Sequence, residues 1–65
     1  MYKNAVDKAV RAVGGQTAVA RHFDIKQQSV EGWVKRGIVP GNRARKLARL
    51  SGVHESQLNP AVFGD

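Results

Sequence analysis

The sequence contains no cysteine, so no disulfide can staple its 65 residues, a length at which one hydrophobic core rarely contributes more than about 3–5 kcal/mol. The same absence fits a reducing cytoplasm. No apolar run approaches the ~18 residues that cross a bilayer, and the opening MYKNAVDKAV is amphipathic, unlike a secretion signal. The expectation is therefore an intact, soluble, cytoplasmic protein with a single domain over residues 1–65. Period-two alternation, internal repeats, linkers and low-complexity stretches are also missing. Chemistry is equally thin. His22 and His54 stand far apart with no cysteine and few acids to complete a metal site. Gly14-Gly15 is isolated and reads as helix capping, not as a phosphate loop. Neither Ser29 nor Ser51 has the setting of a hydrolytic nucleophile. No enzyme and no cofactor are expected.

Acidic residues are scarce, five against eleven Lys and Arg, and their distribution matters more than their number. Residues 21–49 hold eight basic residues (Arg21, Lys26, Lys35, Arg36, Arg43, Arg45, Lys46, Arg49) and two acids (Asp24, Glu31), which accounts for the whole excess of +6. Such a segment attracts a polyanion, with nucleic acid the first candidate and an acidic protein or membrane surface the second. A membrane role would need the basic residues on one face of an amphipathic helix, and only residues 42–50 come near that. No membrane partner is expected.

What is present is helical spacing. Asn4 followed by Asp7 marks a helix start, and Val6, Ala9, Val10 and Val13 make one stripe that Gly14-Gly15 ends. A second helix over 16–22 turns Val19, Ala20 and Phe23 inward. Asp24 suits the left-handed residue of a tight turn, and Ile25 is expected as a buried plug. A third helix over 27–36 carries Val30, Trp33 and Val34 to the core and stops at Gly37. Trp33, with Val30 and Val34 beside it, reads as core and not as a base-stacking ring. In GIVPGN, Ile38 and Val39 reach back to the core while Pro40 disfavours helix at Val39. A fourth helix over 42–50 would bury Ala44, Leu47, Ala48 and Leu50 and close at Ser51-Gly52. VHESQL forms a last short helix that Pro60 prevents from continuing. The fold class is all-α, a compact bundle of about five short helices.

Ala20, four positions before Asp24, permits two helices to cross closely, which is the helix-turn-helix arrangement. Its second helix would offer Gln27, Gln28 and Ser29 at its exposed start. Gln can pair in bidentate fashion with adenine, and Ser bonds several groups. A solvated helix start explains the same residues more blandly, but not their place inside the basic segment after a turn. Lys26, Lys35 and Arg36 flank the helix and suit phosphate contact, as does Arg43 at the start of the fourth helix. Arg43, Arg45, Lys46 and Arg49 together circle too much of that helix for all to face one duplex, and Arg43 is the best placed of them.

QTAVARHFDIKQQSVEGW resembles the helix-turn-helix of lambdoid phage repressors and Cro proteins. Over nearly the whole chain the sequence is more similar to small YdaS-like (Cro-like) prophage regulators, with Trp33, the GIVP connection, Arg43-Ala44 and SGVHESQLNP shared. The resemblance implies a lambda-repressor-like fold, base reading by Gln27, Gln28 and Ser29, and a phosphate anchor at Gln16. It also implies transcriptional repression in a bacterial cell, at an operator in double-stranded DNA within the nucleoid. One module of this size suggests a homodimer on two half-sites, joined through residues 58–63 or the exposed apolar parts of GIVP. The YdaS label carries an alternative, an antitoxin that binds a toxin protein. Asp24 departs from the glycine frequent at the turn. Gly32 departs from the family's pattern where a base-contacting side chain often stands.

Overall fold

Asn4 opens the first helix as its spacing predicts: the Asp7 N–H donates to Asn4 Oδ1 at 2.8 Å, satisfying one of the donors a helix start leaves free. In the computed structural model, which describes residues 2–63, six helices follow among the described residues: α1 (Ala5–Val13), α2 (Gln16–Phe23), α3 (Gln27–Arg36), α4 (Gly41–Ser51), α5 (Glu55–Leu58) and α6 (Pro60–Phe63). The protein is all-helical and compact, 30 × 26 × 20 Å. The sixth helix adds a single turn to the five that spacing predicts. Pro60 ends α5's course and starts α6, a position where its missing N–H costs nothing.

The breaks lie where backbone chemistry puts them. Gly14 at φ 126° and Gly15 at φ 107° separate α1 from α2. Asp24 is left-handed at φ 54°, ψ 50° and closes α2 by donating its N–H to the Ala20 and Arg21 carbonyls, while the Ile25 N–H reaches the Ala20 carbonyl at 3.0 Å. It is the one non-glycine residue with positive φ among the described residues.

The core gathers Val6, Ala9 and Val10 from α1, Val19, Ala20 and Phe23 from α2, Val30 and Trp33 from α3, Ala44 and Leu47 from α4, and Val39, Val53 and Leu58 from connections and α5. Trp33, 3% exposed, meets Phe23 edge to face with centroids 5.7 Å apart, a favoured aromatic geometry. Ile25 is half-buried, packed on the edge of the core and not sealed within it as a plug. Leu50 is 39% exposed, because at 100° per residue it falls 120° round α4 from Ala44, off the buried stripe. Ile38 is half-buried, whereas Val39 is fully buried.

Two long-range clasps fix the elements. Asn4 Nδ2 donates to the Val34 carbonyl at 2.8 Å, tying the start of α1 to the last turn of α3. The Val39 N–H donates to the Leu58 carbonyl at 2.9 Å, and the buried Asn59 returns a bond from Nδ2 to the Val39 carbonyl at 2.8 Å. The connection between α3 and α4 is thus held by the region around α5.

Candidate nucleic-acid interface

Three neighbours settle which way α3 faces. Val30 and Trp33 are buried and Val34 half-buried, so at 100° per residue the opposite side consists of two parallel rows. One is Gln27, Glu31 and Lys35; the other is Gln28, Gly32 and Arg36. Apart from the half-buried Gly32, all of these are exposed. Ser29 is exposed too but stands on the flank, in the row that continues to Trp33. Of the three residues expected at the reading position, Gln28 therefore lies squarely outward, while Gln27, about 20° round the helix from Val34, and Ser29, about 40° from Trp33, stand on opposite flanks of the core stripe.

The start of α3 keeps its polar groups available. Lys26 holds the N-cap position in an extended conformation, φ −74° and ψ 145°, and no side chain caps the helix. Gln27 does have a neighbour: Thr17 Oγ1 donates to Gln27 Oε1 at 3.3 Å, from the first turn of α2. Gln16, the first residue of α2, is half-buried behind an N-cap glycine that offers no side-chain oxygen. The starts of α2 and α3 thus adjoin. Thr17 escapes a reading of the sequence because its partner lies ten residues away on another helix. Glu31, counted earlier only as a charge, is an exposed carboxylate on the outward face and forms no ion pair among the described residues.

The basic residues of α4 fall into two groups. Arg43 and Lys46 lean on Phe23, with the guanidinium carbon 5.7 Å and the ammonium nitrogen 4.9 Å from the ring centroid. Lys46 Nζ also donates to the His22 carbonyl at 2.6 Å, a favourable place for a cation, at the C-terminal end of α2. That commits Lys46 to the fold, while Arg43 remains half-exposed. Arg45 and Arg49 lie on the other flank of α4. Arg45 approaches Glu55 at 3.8 Å and stacks 5.5 Å from the centre of the Phe63 ring. Arg45, Arg49 and Glu55, with Ala48, Gly52, Val53 and His54, line an open groove between α4 and α5.

Away from this face the titrating side chains serve structure. Asp7 accepts the Lys3 N–H at 2.8 Å and Arg11 Nε at 3.1 Å. The Lys3 bond chiefly, with the Arg11 guanidinium, holds its carboxyl below the ordinary value against the opposing effect of burial. His54 caps α5, its Nδ1 accepting the Ser56 N–H at 3.1 Å. No cluster of three metal-ligating side chains occurs among the described residues, and no helix is long and apolar enough to cross a membrane.

Comparison with protein families matches residues 6–65 to the family described as "Bacterial toxin YdaS". The chain belongs to the YdaS family. Membership makes it a small protein of the toxin–antitoxin or regulatory kind. Comparison with curated proteins and with solved structures finds no match. In this YdaS-family chain the match takes in α2, α3 and the turn between them, so the exposed rows described above fall inside the family region.

Proposed function

We propose that this YdaS-family protein is a sequence-specific binder of double-stranded DNA, a Cro-type repressor whose α2 and α3 act as a helix-turn-helix. The observation that carries the reading is the outward face of α3, where exposed Gln27 and Gln28 stand between Lys26 and Lys35 within the segment that holds the chain's whole positive excess. A helix with its side chains is 10–12 Å across and the major groove about 12 Å wide, so α3 fits with this face toward the base edges. Gln27 and Gln28 are the adenine readers, with Ser29 on the flank touching bases or sugar. Gln16, Lys26, Lys35 and Arg43 bind phosphates, supply salt-dependent affinity and set orientation, and on charge alone Arg36 would join them. Thr17 positions Gln27.

Half-sites one helical turn apart are separated by about 34–36 Å. The protein's longest dimension is 30 Å, so one copy covers one half-site and a homodimer covers an operator. Leu58 is fully buried and cannot join the copies, whereas Val62 is 61% exposed and can. Bound at an operator in the nucleoid of the bacterial cytoplasm, the dimer would exclude polymerase. The function needs neither a cofactor nor an enzymatic step.

Selection of bound duplexes from a random DNA pool, followed by titration of the winners at two salt concentrations, tests this reading. An inverted repeat with adenine in each half-site is expected, and replacing Gln27 and Gln28 by Ala should relax the preference there by roughly 1–3 kcal/mol per lost pair. Equal weakening on every sequence would assign the two glutamines to generic contact.

A second reading, an antitoxin-like module that binds a toxin protein, draws on the groove between α4 and α5. Its arginines, Arg45 and Arg49, lie on a different flank of α4 from Arg43, which would leave α3 free while a partner is bound. A pool that yields no motif would favour it.

A further inference from the structure

Gly32 interrupts the outward row of α3, where a side chain would stand midway between Gln28 and Arg36. The space is not vacant. A Cβ placed on Gly32 would come 3.4 Å from Arg36 Nη1 and 3.8 Å from both Cζ and Nη2. Arg36 has therefore folded back along the helix by one turn, in the direction that helical side chains lean. Its guanidinium lies over the bare backbone of residue 32. The Arg36 side chain is exposed and in no ion pair among the described residues, so its donors are unspent. Charge alone groups Arg36 with Lys35 as a phosphate contact at the helix end; the geometry puts its head group at mid-helix instead.

Resting on the DNA-reading proposal above, we infer that Gly32 is a clearing that delivers the Arg36 guanidinium to the base-reading face, where it recognises guanine. The guanidinium presents a fixed fork of N–H donors, and guanine O6 and N7 are the acceptors that fork fits best in the major groove. Its position level with residue 32 is about 6 Å along the axis from Gln28. The guanine therefore lies one or two steps from the adenine taken by Gln28. A lysine here would lack the fork, and a bulky side chain at 32 would fill the space the fork occupies. The same clearing explains why the helix carries a glycine in its interior, a choice that weakens it.

The test compares Arg36→Ala, Lys35→Ala and Gly32→Leu with the unaltered chain, each titrated on the selected duplex, on single-base variants of it and at two salt concentrations. Arg36→Ala should lose about 5- to 150-fold of the preference for guanine at one position per half-site while the salt slope holds. Lys35→Ala should weaken binding evenly and lower the slope by about one. Gly32→Leu should relax the same guanine position as Arg36→Ala, although Arg36 is intact. Even weakening by Arg36→Ala with a lowered slope returns Arg36 to the phosphates and overturns the inference. A guanine preference kept in Gly32→Leu removes the clearing. If the unaltered chain enriches no motif at all, it is the DNA-reading proposal that fails, an outcome distinct from both.

Discussion

The starts of α1 and α3 use their polar residues in opposite ways. At α1, Asn4 and Asp7 are consumed by the fold: they bond the Asp7 and Lys3 N–H groups, the Arg11 side chain and, through Asn4 Nδ2, a carbonyl of α3. At α3 no side chain caps the helix, and Gln27, Gln28 and Ser29 are exposed with one bond among them to a side chain, from Thr17. The starts of α2 and α4 also lack a side-chain cap, so what sets α3 apart is three consecutive exposed polar side chains whose groups are left largely to solvent. The better-satisfied end is the scaffold, and the less-satisfied end is the one to suspect of contact with something else.

Substitutions can sharpen that contrast or break it. The largest effect should come from beneath α3: Trp33→Ala removes the ring that meets Phe23 and is expected to cost about 3–5 kcal/mol, which equals the stability a core of this size supplies. Loss of the helical circular-dichroism signal at room temperature checks it, and a folded variant would show that the core lies elsewhere. Asn4→Ala, at the scaffold end, should cost about 1–2 kcal/mol through the lost cap, read as a lower urea midpoint. It also strips the Val34 carbonyl of its donor, so α3 should lose amide-exchange protection in its last turn. Gly32→Ala should do the reverse. Its Cβ would meet only the far end of the flexible Arg36 at ordinary contact distance, so a gain of about 0.5–1 kcal/mol is expected in thermal unfolding. A loss instead would mean that Arg36's position supports the fold.

The sequence makes the punctuation of this fold legible because capping is local. Asn4, Gly14, Asp24, Gly37 and Gly52 act within a few residues of themselves, and each ends or starts the helix that spacing predicts. Helical periodicity likewise locates Val6, Val19, Val30 and Leu47 in the core. Leu50 misleads, since a leucine three positions after another looks like part of a stripe until the full register of α4 is drawn. What stays hidden is every bond between distant residues: Asn4 to Val34, Asn59 to Val39, Lys46 to His22 and Thr17 to Gln27. The candidate interface divides along the same line. Exposure of Gln28 follows from its phase on α3, and that of Gln27 from its place at the very start of the helix, but the reach of Arg36 over Gly32 is a rotamer, which no spacing rule encodes.

The outward rows of α3 hold up almost nothing else. Among the described residues their side chains hydrogen-bond to the rest of the protein at a single point, Thr17 with Gln27, and the helix beneath them is held by Val30, Trp33 and the Asn4 clasp. Change at positions 28, 31 and 36 is therefore nearly free of folding constraint, whereas position 27 meets Thr17 and position 32 sets the strength of the helix. If this face reads a partner, a lineage could drift to a new one, or a library at these three positions could be screened for one, on a scaffold that scarcely registers the difference.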